Sequence, residues 1–498
     1  MTPLASHPIL TCADAQRLEA RLLGGDEARE WPAMQLAGRA LARAICRDSA
    51  EIGGLRPAGR LLALVGKGHN GGDALIATQA LLEQFPAAQA EVLFAFGSRA
   101  LRPLATRAWQ ELVQAAAGRL AVVREISGPY EVCLDGVFGF QFRPPVEAAI
   151  AALLAQANAA TVRLRAAVDL PSAGLFRADF TYATGSVKQP VLGVPEAGRV
   201  RYLDLGFFRG DEPGDDRVLL AAVLARLSCW RPPAGDKRDH GHVFIIGGSG
   251  QYPGAVLMAV LAALQSGVGL VTAFVPETLA PAYAARAPEA MWVGWPQTPE
   301  GGLALAGEHL LGARLGRASA LVLGPGLGRE PETLALAASI ARQSPVPFVL
   351  DADALQPDIV QAGTAPRIAT PHAGELARIG GRAALRPGLT LVEKGPVTRV
   401  AAGSHVYHAL CGGPVLSRGG SGDLLAGLIG GLLAQTPTDP VFAAARGVMW
   451  HGLAADLLAR ERGQVAVRVT DLLDFLPAAL RLAAEPAAAA TLSPSPAA

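Results

Sequence analysis

The chain has 498 residues, more than one hydrophobic core supports, so two domains are expected. Hydrophobic residues make up 51% and charged residues 17%, which excludes disorder over most of the length. A formal net charge of +1 supplies no basic field, so neither nucleic acid nor a membrane is expected as a partner.

Only four of the 44 basic residues are lysines: Lys67, Lys188, Lys237 and Lys394. Where arginine serves almost everywhere, a retained lysine points to a need for a compact charge. All four are candidate site residues, Lys394 and Lys237 ahead of Lys67 and Lys188. Five scattered cysteines (Cys12, Cys46, Cys133, Cys229, Cys411) lack metal or redox spacing and fit reduced thiols in a cytoplasm. The opening MTPLASHPIL lacks the basic and apolar regions of a secretory signal.

From about 60 to 207, short β-rich runs (RLLALVG, EVLFAFG, YEVCLDGVFG, RLRAAVDLPS, DFTYATG, RYLDLGF) alternate with alanine-rich segments of helical length. Strands apolar on both faces predict a parallel sheet covered by helices on both sides, a Rossmann-like three-layer α/β/α domain over 1–214. GKGHNGGDALIA at 66–77 runs from a strand through a glycine turn into a helix and lacks the P-loop pattern. Asn70, Asp135 and Ser172, at three strand ends, offer oxygen ligands to a hard cation; turn and cap chemistry explains them equally well.

This set resembles the NAD(P)H-hydrate epimerase domain. The resemblance implies interconversion of the R and S hydrates of the nicotinamide ring. It implies substrate contacts at His69, Asn70, Gly71, Gly72, Asp73, Gly139, Arg143 and Asp169, and potassium held by Asn70, Asp135 and Ser172. Asp169 is the candidate acid/base. The family's NNGGDG reads HNGGDA here and its GTGLxR loop reads GFQFR at 139–143, so two phenylalanines are expected to narrow the pocket.

A polar, proline-bearing linker (209–217) and WRPPAGDKRDHG lead to a second α/β unit over 215–485, followed by a low-complexity tail at 486–498 expected to be disordered. Ala255 to Val275 is uncharged and long enough to span a bilayer. It is interrupted by Gln265, Ser266, Gly267 and Gly269, which predicts a buried helix near 254–266, a turn and a buried strand. GGSGDLLAGLIGG at 419–431 places a glycine-rich turn directly before an apolar helix, an anion site with Asp423 at its mouth. Helix capping by Ser421 and Asp423 is the alternative. DADAL at 351–355 offers two carboxylates for magnesium through water, or for a turn.

Six motifs in one order (GGSGQYPGA, GPGLG, DADAL, TPHAGE, EKG, GGSGD) resemble the NAD(P)H-hydrate dehydratase of the ribokinase-like superfamily. The resemblance implies a ribokinase-like α/β/α domain in which ADP phosphorylates the ring hydroxyl, with magnesium as cofactor, and loss of phosphate restores NADH or NADPH. Asp423 becomes the catalytic base. Ala255, Gly328, His372 and Asp423 become substrate contacts, and Lys394, Gly420, Ser421 and Gly422 nucleotide contacts. GGPVLSRGGSGD departs from the family at Gly413 and at Arg418, which is expected to add charge near a phosphate. A vitamin or sugar kinase with a non-catalytic N-terminal binding domain is the alternative, and a homo-oligomer is expected. His240 and His242 read as strand-flanking polar residues, Trp292 and Trp295 as core or interface, and His451 as a satisfied core histidine.

Overall fold

The computed structural model describes residues 4–210 and 212–484; the predicted tail lies outside them. The chain divides into two compact units, one formed mainly by His7–Gly214 and the other mainly by Asp215–Ala459 and Gln464–Glu485.

In the first unit the elements run β1 (Ser6–Leu10), α1 (Cys12–Leu23), α2 (Glu27–Ser49), β2 (Arg60–Val65), α3 (His69–Gln84), β3 (Gln89–Phe94), α4 (Pro103–Ala115), β4 (Leu120–Val122), β5 (Tyr130–Gly136), α5 (Ala148–Ala159), β6 (Val162–Val168), β7 (Phe180–Thr184), β8 (Val187–Lys188) and β9 (Arg199–Leu203). The sheet order is β4-β3-β2-β5-β6-β7-β9, all parallel. Alternation along β2 explains both covered faces. Leu61, Ala63 and Val65 pack with Leu75, Leu81 and Leu112 of α3 and α4, whereas Leu62 and Leu64 pack with Ile150 and Leu154 of α5. Each such leucine contributes roughly 1.5–3 kcal/mol.

The second unit runs β10 (Asp216–Leu219), β11 (His242–Ile246), α6 (Pro253–Gln265), β12 (Leu270–Pro276), α7 (Ala280–Arg286), β13 (Met291–Trp295), α8 (Glu308–Gly312), β14 (Ala320–Leu323), α9 (Pro331–Gln343), β15 (Phe348–Leu350), α10 (Pro357–Gln361), β16 (Arg367–Ala369), α11 (Ala373–Arg378), β17 (Thr390–Glu393), β18 (Thr398–Ala402), β19 (His405–Ala409), α12 (Ser421–Gln435), α13 (Pro440–Arg462) and α14 (Leu476–Ala484). Strands β13-β12-β11-β14-β15-β16-β17 are parallel, and β18 turns antiparallel to both β17 and β19. Val243 and Ile245 face α6 and α12; Phe244 and Ile246 face Leu336 and Ile340 of α9.

The uncharged stretch is helix α6 followed by strand β12, and no helix of the described residues is long and apolar enough to cross a membrane. Helix α12 lies against α6 because two glycines allow it: a Cβ on Gly427 would sit 2.0 Å from the Ala259 carbonyl oxygen, and one on Gly431 2.0 Å from Ser266 Oγ. Both sheets reverse strand order beside their third strand from the edge, at β2/β5 and at β11/β14. Ligands bind outside the carboxyl ends of strands at such points.

Candidate active sites

At the first switch point a cavity of about 470 Å³ is lined by Lys67, His69, Asn70, Gly71, Asp73, Gly139, Arg143 and Asp169 among others. Gly72 is absent from that wall. Its Cα faces helix α2, where a Cβ would meet Met34 Sδ at 2.6 Å, so this glycine serves helix packing. The glycines at 66 and 71 allow the turn to close, since a Cβ on Gly71 would lie 2.4 Å from the Gly66 carbonyl oxygen.

Asp169 follows β6 in the left-handed region (φ 63°), a strained setting that its side chain helps secure. Its Oδ1 accepts from the Thr184 amide (2.8 Å), the Thr184 hydroxyl (2.7 Å) and Lys188 Nζ (3.1 Å), while Oδ2 carries no hydrogen bond among the described residues. Lys188 is fully buried and also donates to the Thr184 carbonyl at 3.0 Å. Burial pushes the Asp73 carboxyl well above its ordinary range, with Asp169 and Glu19 adding to the effect.

Behind the cavity wall, Ser172 Oγ donates to Asp135 Oδ1 (2.6 Å), and the Ser172 amide donates to Asp135 Oδ2 (2.7 Å). The Asn70 amide reaches the carbonyls of Val168 (2.9 Å) and Phe138 (3.3 Å). Among the described residues no group of three or more His, Cys, Asp or Glu is placed to hold a metal. The donors here are instead a buried carboxylate, a hydroxyl, an amide and carbonyls, chemistry that fits a weakly charged hard cation. Both phenylalanines of GFQFR line the cavity: Phe140 is buried beneath Lys188, whose Nζ lies 5.1 Å from its ring centroid, and Phe142 packs at a tilt on Phe138 at 4.2 Å.

In the second unit the loops after β11 and β14 join through the Gly248 amide and the Pro325 carbonyl at 2.8 Å. Ala255 opens α6 beside Gly326, and the Gly328 amide donates to Asp353 Oδ2 at 3.3 Å. Asp351 ends β15, accepting from Lys394 Nζ (2.8 Å) and the Thr370 hydroxyl (2.7 Å). Lys394 also approaches Glu375 Oε2 at 3.6 Å. Burial opposes its charge, yet Asp351 and Glu375 hold its pKa above the ordinary range. His372 is the N-cap of α11, its Nδ1 accepting from the Gly374 and Glu375 amides at 3.0 and 3.3 Å.

Helix α12 begins at Gly420 (φ 95°) with no side-chain cap. Ser421 Oγ donates to the Leu416 carbonyl at 2.6 Å and does not cap the helix; its amide is taken by the Arg418 carbonyl at 3.3 Å, so the Gly422 and Asp423 amides are the ones available to an anion among the described residues. Burial and the neighbouring Asp351 push the Asp423 carboxyl up to about 7, against the opposing pull of Lys394.

Three expectations need correction. Arg418 donates to the carbonyls of Val467 (2.6 Å), Gln464 (2.8 Å) and Val465 (2.7 Å), so its guanidinium ties down a segment and does not serve a phosphate. Lys237 is exposed in a turn before β11, at the amino ends of the strands, whereas Lys67 and Lys188 line or underlie the first cavity. His451 is a core residue but only partly satisfied: its ring bonds to the Ser421 backbone, while its Nε2 has no hydrogen-bond partner among the described residues. The remaining bland readings agree with the structure, with His242 bonded to Thr272 at 2.8 Å and Trp295 to the Ala304 carbonyl at 2.8 Å.

Residues 243–478 match the NAD(P)H-hydrate dehydratase family, and residues 32–190 match the YjeF-related protein N-terminus. A bifunctional NAD(P)H-hydrate repair enzyme of Gloeobacter violaceus is 36% identical, over 96% of this chain and 99% of its own. The chain belongs to this family of bifunctional repair enzymes. The Moorella thermoacetica relative is 34% identical over 85% of this chain and 87% of its own. Among solved structures, an ADP/ATP-dependent NAD(P)H-hydrate dehydratase from Bacillus subtilis is 27% identical, covering 51% of this chain and 94% of its own with a TM-score of 0.44. A family match on both units disfavours a kinase carrying an accessory domain. Sequence reasoning missed Glu19, which lines the first cavity from α1; its only signal was a glutamate in an amphipathic helix with no motif around it.

Proposed function

We propose that the chain repairs hydrated nicotinamide nucleotides with both units, the first interconverting R and S NAD(P)H hydrates and the second dehydrating the S form with ADP. The observation that carries this reading is the uncapped amino end of α12 with Asp423 beside it. Asp423 accepts the proton of the ring hydroxyl, whose oxygen attacks the β-phosphorus of ADP; the bond to the leaving oxygen breaks and AMP departs. Gly420, Ser421 and Gly422 stabilise the charge on the phosphoryl group in transfer. The ring nitrogen lone pair then expels phosphate, and loss of a proton from the adjacent carbon restores the dihydropyridine ring. Ala255, Gly328 and His372 border the hydrate, and Lys394 serves the nucleotide.

Magnesium, held through water by Asp351 and Asp353, would offset the charge of the nucleotide phosphates. Potassium would be held by Asn70, Asp135 and Ser172 and would offset the buried Asp135 carboxylate. In the first unit Asp169 exchanges protons with the hydrated carbon's substituents. Cytoplasmic residence belongs to the same proposal, supported by five free cysteines. Homo-oligomeric assembly belongs to it too and is read by analytical ultracentrifugation.

The deciding experiment incubates the full chain with mixed R and S NADH hydrates, ADP and magnesium, and follows the NADH absorbance band. Complete recovery is expected. Recovery that stops once the S form is spent, with no gain over spontaneous epimerisation, removes the first activity; no recovery with ADP or ATP removes the second.

A further inference from the structure

The first cavity holds a carboxyl that the reading above leaves without a role. Glu19, on the inner face of α1, lines the cavity together with Asp169. Its carboxylate makes no hydrogen bond or close ion pair within the protein among the described residues, although it is only partly accessible. Leaving a carboxyl half-buried and unbonded is costly unless something else meets it there. Asp169 presents the opposite case: Oδ1 is taken up by three donors, one of them the buried Lys188 ammonium, and Oδ2 is free. One carboxylate thus accepts three donors, while the other accepts none among the described residues.

We propose that Glu19 is a second catalytic residue of the epimerase unit, the general acid that complements Asp169 as base; this rests on the epimerase reading. The carbon that bears the hydroxyl in the hydrate is bonded to the ring nitrogen. Glu19 donates its proton to the hydroxyl oxygen, the carbon–oxygen bond breaks, and water leaves as the nitrogen lone pair forms the carbon–nitrogen double bond of an iminium. Water then adds to the other face. Asp169 takes its proton as the new carbon–oxygen bond forms, and the π electrons return to nitrogen. Proton exchange with water resets both carboxyls, and no redox partner is needed.

Burial places the Glu19 carboxyl at about 7, against the pull of Lys188, so much of it carries a proton near neutral pH. The titratable groups around it are Lys188 and Asp169, Glu30 on α2, and Asp73 on α3. Asp73 is the rival acid. It also lines the cavity, but its Oδ1 is sealed from solvent with no hydrogen-bond partner among the described residues, so the variants below separate the two carboxyls.

The test measures conversion of pure R hydrate to S by the full chain without ADP, separating the diastereomers chromatographically across pH and in isotopically labelled water. Wild type is expected to lose kcat/KM above about pH 7 and to incorporate solvent oxygen at the rate of epimerisation. Glu19→Gln is expected to lose about 10²-fold or more with an unchanged melting transition, and its residual rate to lack the alkaline fall. Glu19→Asp is expected to recover part of the rate, and Asp73→Asn to keep the alkaline fall. A Glu19→Gln variant that epimerises like wild type, or that keeps the alkaline fall, overturns the proposal while the epimerase reading stands. If Glu19→Gln does not fold, the wild-type profile decides, and the absence of both alkaline fall and oxygen exchange overturns it. Wild type no faster than the spontaneous reaction overturns the epimerase reading and the proposal together.

Discussion

The Nζ of Lys394 lies 2.8 Å from Asp351 Oδ1 and only 3.1 Å from where a Cβ on Gly422 would stand. The glycine therefore opens a path between the amino end of α12 and the ammonium that ends β17. Gly422→Ala would place a methyl group there. We expect kcat/KM for ADP in the dehydratase assay to fall about 10-fold or more, roughly 1.4 kcal/mol of transition-state stabilisation, with epimerisation unchanged. Nucleotide kinetics at wild-type levels would show that the phosphates do not pass this point.

Asp423 must be ionised to accept a proton, and its carboxyl stands at about 7. Dehydratase kcat/KM should therefore fall about tenfold per unit as pH drops below that value. Lys394 is the group that pulls Asp423 down. Lys394→Met should thus move this acid limb to higher pH, whatever it does to the overall rate. A pH–rate profile on pure S hydrate checks both statements.

Stability carries the same signature with opposite use. Unfolded, the Asp423 carboxyl titrates near 3.8, and folded it titrates near 7. The folded chain binds more protons between those values, so stability falls as pH rises through that window. Asp423→Asn should abolish NADH recovery yet raise the melting temperature of its unit by a few degrees at about pH 8. The gain should vanish near pH 4, where wild type is also neutral. Calorimetry at the two pH values reads the difference.

Much of the fold was legible because alternation along strands such as RLLALV has one physical cause, two buried faces, and because glycine turns before helices leave a strong local mark. Of the motif residues, Asp351 and Lys394 follow strand ends and Asp423 sits in the first turn of α12, and the fold brings the three together. Long-range roles were not legible. Gly72 looks like its motif neighbours, but Met34, 38 positions earlier, decides what it faces. Arg418 sits in a phosphate-type loop, yet three carbonyls beyond residue 463 claim its guanidinium. Lys237 and Lys188 are equally rare residues, and only the direction of the neighbouring strand separates a surface charge from a buried one.

Lys188 is where that rarity has structural force. A fully buried ammonium bonded to Asp169 and to the Thr184 carbonyl leaves no room for the longer, forked arginine side chain. Lys188→Met would strand the Asp169 carboxylate in a low-dielectric setting, a change that costs about 3–5 kcal/mol when one partner of a buried pair is removed. The first unit's melting transition should drop accordingly and epimerisation should be lost, while the second unit's transition stays in place. Differential scanning calorimetry resolves the two.

Gly139 offers the cleanest separation of the two activities. Its backbone is not in the left-handed region, so alanine is conformationally acceptable there. A Cβ would nevertheless sit 2.7 Å from Asn70 Oδ1 and 3.0 Å from its Cγ, inside contact distance. Asn70 is bonded to the carbonyls of Phe138 and Val168, so it has no slack to retreat without breaking those bonds. Displacing it would disturb the cavity wall and the neighbouring oxygen cluster with Asp135 and Ser172. Gly139→Ala should therefore lower epimerisation about 10²-fold, the scale of loss seen when positioning fails by about 1 Å, and should weaken any potassium-dependent rise in melting temperature. Dehydration of pure S hydrate should keep its wild-type rate. If epimerisation survives in this variant, Asn70 does not position the substrate or the cation, and the cavity must work through Asp169 and its partners without it.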